Sequence, residues 1–285
     1  MSTTDVPLYQ PEWLELREGA DAAARAGELL GPLREWLAET GPRTGGLVIH
    51  DLGCGTGSMG RWLAPRLPGP QRWVLYDRDP ALLGRAAARA PEAAADGGRV
   101  TVATRRGDLA RLTADELAGA SLVTASALLD VLTRDELDAL VAACRGAGCP
   151  ALLALSVVGR VELAPADPLD VELAEAFNAH QRRGGLLGPD AVAVASDAFA
   201  RRGAVVRVRD SPWRLGADES ALTAQWLRGW AEAACEQRPD LAARAEGYVR
   251  RRLAECAAGA LRVVVHHSDL LALPPATGFA RGGVS

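Results

Sequence analysis

The sequence predicts an α/β fold, a mostly parallel sheet with helices on both faces, and three observations carry that prediction. Residues 47–60, LVIHDLGCGTGSMG, read as a buried strand, a glycine-rich turn and the opening of a helix. Short apolar runs of β-formers follow at 72–76, 100–103, 121–128 and 150–157, with helical stretches between them, and strands alternating with helices build parallel sheets. A hydrophobic content of 48% over 285 residues supports one large domain, or one domain carrying a sizeable insertion.

Ahead of the first strand, residues 10–40 read as one or two helices. Leu29, Leu30, Leu33, Trp36 and Leu37 recur at helical spacing, and Gly41-Pro42 ends the segment. Leu47-Val48-Ile49 is typical of a strand buried on both faces. Asp51 ends it, and Gly53, Gly55 and Gly57 follow at alternate positions. Backbone without a Cβ, free to take positive φ, can lie directly against a ligand. The N–H groups opening the next helix, over 58–67, favour negative charge. The second strand, 72–76, ends at Asp77, whose carboxylate can accept hydrogen bonds from a ligand. Asp79-Pro80 fits a helix cap with proline in the first position, so Asp79 caps and Asp77 binds.

A helix over 82–90 leads to the third strand and then to Asp108. Beyond the fourth strand, Thr133 and Glu136 fit a capping box. Ligands of open α/β sheets sit past the carboxyl ends of the strands, which puts Ser126, Ala127, Leu128 and Asp130 at a site. After the fifth strand, residues 158–170 read as irregular because Pro165 and Pro168 break them. Helices are expected at 171–183 and 189–202, a sixth strand at 204–208, helices at 220–236 and 239–256, and a seventh strand at 261–265.

Gly55-x-Gly57-x-x-Gly60, with Asp77 twenty residues past Gly57, also fits the dinucleotide fingerprint, so these residues alone leave an NAD(P)-dependent oxidoreductase open. Asp51, the Gly53-Cys54-Gly55-Thr56-Gly57 core and the acid in Gly107-Asp108-Leu109 together resemble the class I S-adenosylmethionine (SAM)-dependent methyltransferases, small-molecule type. The motifs cover residues 47–129, and strand order extends the likeness to about residue 273. The resemblance implies a Rossmann-like, seven-stranded sheet, mostly parallel with strand 7 antiparallel. It divides the chain into an N-terminal helical lid (1–44) and a SAM-binding domain (45–285) with helical cap insertions at about 158–190 and 211–258. It further implies SAM, leaving as S-adenosylhomocysteine, on Asp51, Gly53, Cys54, Gly55 and Gly57, with the ribose on Asp77 beside Arg78 and the adenine on Asp108 and Leu109. Ser126 would border the methyl group, and Arg17 is a candidate for the SAM carboxylate.

An oxygen or protonated amine accepting a methyl group must lose a proton, so a base is sought. His180, in the crowded end of the 171–183 helix, and Asp130 are the catalytic candidates. Tyr9 and Trp13 from the lid, with Asn178, Arg182 and Trp213, are the substrate-binding candidates. His50 is expected in the core, His266 and His267 in structural roles, Trp226 and Trp230 in packing, and Arg250-Arg251-Arg252 on a solvated helix end.

All 32 basic residues are Arg, and the net charge of −4 argues against a broad nucleic-acid surface. Five cysteines without CxxC spacing fit a reducing, cytoplasmic setting without zinc or a disulfide framework. No acidic cluster resembles a divalent-metal site, and no apolar run approaches a membrane span. The expected activity is methyl transfer to oxygen, nitrogen or carbon of a small metabolite. An oxidoreductase would lack the Tyr-x-x-x-Lys pair, for the chain has no Lys. The residues also leave open a non-catalytic SAM-binding regulator and an RNA methyltransferase. The oligomeric state, a homodimer among the options, is not written in the residues.

Overall fold

The computed structural model describes residues 10–40, 45–107 and 112–275. β1 (Leu47–Leu52) lies inside the sheet, parallel to β2 (Gln71–Asp77) on one side. β3 (Val100–Arg106) continues the sheet beyond β2. On the other side of β1 come β4 (Leu122–Ser126) and β5 (Ala151–Ala164), also parallel. β6 (Val205–Asp210), β7 (Trp213–Leu215) and β8 (Arg262–Leu273) complete it in the order β3-β2-β1-β4-β5-β8-β6, with β7 paired to β8. β8 runs antiparallel to β5, β6 and β7.

The sheet therefore has eight strands where the sequence predicts seven. The expected strand 7 is β8, and the extra one is the three-residue β7. Two further corrections share a cause. β8 is twelve residues long, not five, and β5 continues through residues expected to be irregular, as far as Ala164. Each extension gives the other a partner: residues 161–164 of β5 pair with 262–265 of β8 after a register shift past Val157. Gly159, at φ 75°, makes that bend possible, since a Cβ there would meet Pro189 Cβ at 2.8 Å and the Asn178 side chain at 3.0 Å.

Successive residues of a strand face opposite sides, and β1, β2 and β4 bury most of both while the edge strand β3 stays largely exposed. α1 (Pro11–Ala24) and α2 (Leu30–Glu39) precede the sheet. α2, α3 (Ser58–Leu63) and α4 (Pro80–Ala88) cover one face, where Leu33, Met59 and Leu83 pack with Ile49, Trp73 and Leu75. α5 (Arg134–Ala147) and, further along, α7 (Ala191–Arg201) cover the other, where Leu137, Val141 and Phe199 meet Val74, Tyr76 and Val123. The predicted caps are present. Asp79 Oδ1 accepts from Ala81 N–H at 2.8 Å, and Thr133 with Glu136 forms a reciprocal capping box.

α6 (Leu169–Gln181), α8 (Ser220–Gln237) and α9 (Ala242–Ala257) form a separate packed layer. Leu173, Trp213, Leu227, Trp230 and Tyr248 bury together there, with Trp13 of α1 packed against them. Arg252 corrects the expectation of a solvated helix end, being 2% exposed. Its guanidinium donates to both carboxylate oxygens of Asp170 at 2.9 and 3.0 Å, to Pro165 O at 2.7 Å and to Glu255 at 2.9 Å. Among the described residues no helix is long and apolar enough to cross a membrane.

Candidate active site

The glycine turn works because its backbone takes conformations that side chains resist: Gly53, Gly55 and Gly57 have φ of 61°, 54° and 83°. Asp77, at the end of β2, holds the turn from across the strand boundary. Its Oδ2 accepts from Gly55 N–H at 2.9 Å and its Oδ1 from Asp79 N–H at 3.0 Å. Each carboxylate oxygen has a second lone pair left for a ligand.

A cavity of about 1300 Å³, open to solvent, lies over this turn. It is lined by Asp51, Gly53, Cys54, Gly55, Asp77 and Arg78, with Ser126 from β4 and Arg17 from α1. Of the expected cofactor residues, Gly57 stands back from the cavity. It precedes α3 and packs toward Ala86, 3.1 Å from where its Cβ would be. Tyr9, Asp108 and Leu109 lie outside the described residues. Cys54 is buried, which together with Asp51 and Asp77 pushes its thiol well up and leaves it a packing residue.

Asp51 is 1% exposed; its Oδ1 accepts from Thr124 Oγ1 at 2.7 Å and its Oδ2 has no protein partner. Burial raises its carboxyl from the ordinary 3.8 to about 7, against the Thr124 hydrogen bond and the charge of Arg25. A carboxyl raised in the fold stabilises it fully below its unfolded pKa, and that contribution is lost as pH rises through about 7. Asp51→Asn should therefore raise stability at pH 8 by about 1–3 kcal/mol, the cost of one buried group without a partner, and leave it unchanged at pH 3.5. Urea melts at the two pH values measure this; equal gains at both would contradict it.

Arg25 is a site residue that sequence reasoning missed, since one Arg in an Ala-rich stretch carries no signal. It is 5% exposed, donates to Ser58 Oγ and Ser126 Oγ at 3.1 Å each, and leaves Nε and one terminal nitrogen without a partner. Both serines line the cavity. Arg17, proposed for a cofactor carboxylate, is paired with Asp21 at 3.0 Å and lies 4.9 Å over the Trp213 ring.

A second cavity, about 810 Å³, adjoins the first: Arg17 and Ala127 line both. Trp13, Asp130, Asn178 and Trp213 line it. Trp226 and Trp230, stacked with centroids 5.2 Å apart, line it as well as packing the α6–α8–α9 layer, and His266 and His267 border it too. Ala127 and Leu155, with φ of 51° and 57°, are the non-glycine residues of positive φ among those described, and both line this cavity. Strain of that kind gathers at functional sites.

Two expectations are corrected. His180 lines neither cavity; its Nε2 lies 3.1 Å from Glu236 Oε2 and its Nδ1 3.2 Å from Gln181 Oε1, so it ties α6 to α8. Arg182 also lines neither, and pairs with Asp190 at 2.7 and 3.0 Å. The last turn of α6 presents Asn178 and Gln181 to the cavity, and a helical step of about 100° turns their neighbours away.

Four acids (Asp21, Asp51, Asp77 and Glu136) line the first cavity against Arg17 and Arg78. An acid-rich lining with an orphaned Asp51 Oδ2 fits a ligand carrying ammonium and sulfonium charge better than one carrying a pyrophosphate. Residues 49–148 match the family model described as a methyltransferase domain. A search of curated proteins found no match. Among solved structures, the chain is similar to a SAM-dependent methyltransferase from Geobacter sulfurreducens in complex with S-adenosylhomocysteine (17% identity, 95% of this chain and 100% of that one, TM-score 0.45). It is similar to a cyclopropane synthase from Mycobacterium tuberculosis (14% identity, 85% and 83%, TM-score 0.44). A phosphoethanolamine N-methyltransferase from Haemonchus contortus is a third (15% identity, 95% and 59%, TM-score 0.45). The matched segment contains the glycine turn, Asp51 and Asp77, and over residues 49–148 the chain is similar to methyltransferase domains.

Proposed function

We propose that this enzyme moves a methyl group from SAM, held in the first cavity, to a small molecule held in the second. The observation that carries the reading is that the two cavities meet at Ala127 and Arg17, one floored by the glycine turn and the other walled by tryptophans. When bound, SAM supplies a methyl group already activated by its sulfonium. The protein's part is to hold donor and acceptor in line and exclude water, and proximity alone can lower the barrier by roughly 7–11 kcal/mol.

In this reading Asp77 grips the ribose, Asp51 accepts from the ammonium, and Arg25, one layer of serines behind the cavity wall, supplies positive charge for the carboxylate. Asp108 and Leu109 remain the proposed adenine contacts and Tyr9 a proposed lid residue. α1 and α2 serve as the lid, and the insertions at about 158–190 and 211–258 as a cap over the substrate. A concave site walled by four tryptophans and Phe177, with a few polar side chains among them, supports a small metabolite over a macromolecule. The odd number of cysteines without CxxC spacing supports a cytoplasmic setting.

The test feeds the protein labelled SAM with three fractions of a cell extract: the small-molecule filtrate, the RNA and the protein. The filtrate should support formation of S-adenosylhomocysteine. Methylation confined to RNA or protein would overturn the small-molecule reading, and binding without turnover in any fraction would favour a non-catalytic regulator.

A further inference from the structure

The second cavity contains polar atoms that the fold leaves unsatisfied. Asp130 Oδ1, His267 Nδ1 and Trp230 Nε1 are all buried, none has a hydrogen-bond partner, and all three residues line this one cavity. Buried polar groups are nearly always paired, so three orphans around one space mark where a ligand's own polar groups belong.

The charges there narrow the ligand. Arg17 is paired with Asp21 at 3.0 Å, Arg160 with Glu162 at 2.5 Å and His266 with Glu162 at 3.0 Å. His267 is neutral, because burial lowers its pKa to about 3. Asp130, only 8% exposed, is the charged lining residue left without an ion-pair partner among the described residues. Around it stand Trp13 and Trp213, edge to face at 6.4 Å, the stacked Trp226 and Trp230, and Phe177. Indole faces attract cations, and a buried carboxylate needs one.

We infer that this cavity takes a small amine, a primary or secondary ammonium on an apolar or aromatic body, whose N–H Asp130 holds and whose proton it accepts. The inference rests on the methyl-transfer reading and deepens it to an acceptor atom, nitrogen. The ammonium gives its proton to Asp130. The freed lone pair then bonds the methyl carbon as the carbon–sulfur bond breaks, leaving a neutral thioether and an N-methylammonium. Asp130 returns its proton to solvent. Burial raises the Asp130 carboxyl to about 6, against the charge of Arg17, close enough to neutrality for both steps. Trp230 Nε1–H is a donor, so the same molecule carries an acceptor such as a hydroxyl or carbonyl.

The test is calorimetry on the full chain saturated with S-adenosylhomocysteine, titrated with phenethylamine, tryptamine and tyramine and with the alcohol matching each one. At least one amine should bind tenfold or more tightly than its alcohol. Asp130→Asn should abolish that preference while S-adenosylhomocysteine affinity holds, since Asp130 does not line the first cavity, and the variant should be no less stable than the parent. Equal binding of every amine and alcohol, no binding by any amine, or a preference that survives Asp130→Asn would overturn the inference and leave methyl transfer standing. Failure of S-adenosylhomocysteine itself to bind would remove both.

Discussion

Asp77→Ala should weaken binding of SAM and S-adenosylhomocysteine by about 100-fold or more, while Asp79→Ala changes it by less than about threefold. The two acids sit two residues apart with different duties. Asp79 spends its side chain on Ala81 N–H, a cap whose loss costs about 1 kcal/mol of stability and nothing at the ligand. Asp77 lines the cavity, and its carboxylate also anchors Gly55 and Asp79 through their N–H groups. Removing it releases the turn and deletes a charge-assisted acceptor, worth about 1.5–3 kcal/mol on its own. Asp77→Asn separates the effects, because one carbonyl oxygen still accepts from the turn while the charge is gone, and its affinity should fall between the other two. Calorimetry with S-adenosylhomocysteine measures all three, and equal losses for Asp77→Ala and Asp79→Ala would sink the assignment.

Arg252→Ala should be the most damaging single substitution outside the site, costing about 3–5 kcal/mol because it leaves the half-buried Asp170 without its partner. Arg252 joins α9 to the start of α6 through Asp170, Tyr248 Oη donates to that same carboxylate at 2.6 Å, and the guanidinium lies 5.1 Å over the Tyr248 ring. Arg251→Ala is the control: its contact with Asp167 at 2.9 Å is exposed, and such pairs contribute about 0–1 kcal/mol. Urea denaturation should show the Arg252 variant far less stable and the Arg251 variant close to the parent. A double variant, Arg252→Met with Asp170→Asn, should regain part of the loss, since replacing both partners avoids stranding one charge. Similar stabilities for the Arg251 and Arg252 variants would refute this account of the α6–α9 contact.

The first cavity was largely legible in the residues because its parts are close in sequence and locally caused. Asp51, the glycines and Asp77 lie on two adjacent parallel strands and the turn after the first, and glycine spacing with a terminal acid constrains the backbone without help from afar. The Asp79 cap and the Thr133–Glu136 box were readable for the same reason. His180 and Arg182 were misplaced because they sit at the end of α6, where His180 reaches Glu236 of α8 and Arg182 pairs with Asp190, contacts that no short stretch of sequence specifies. Arg252 shows the same limit, since three consecutive arginines read alike until packing turns one inward. β7 is three residues long and exists because β8 offers it an edge.

The chain alone thus determined the order of strands and helices, the bare turn and the acids beside it, because each follows from neighbours within a few residues. Tertiary packing decided the second cavity. Its wall draws on Trp13, Asp130, Leu155, Trp213, Trp230 and His267, residues from separate elements spread over most of the chain. Which face each turns inward depends on how the α6–α8–α9 layer settles on the extended β5–β8 pair. That rotation is a sum of many apolar contacts, and no short stretch of sequence specifies it.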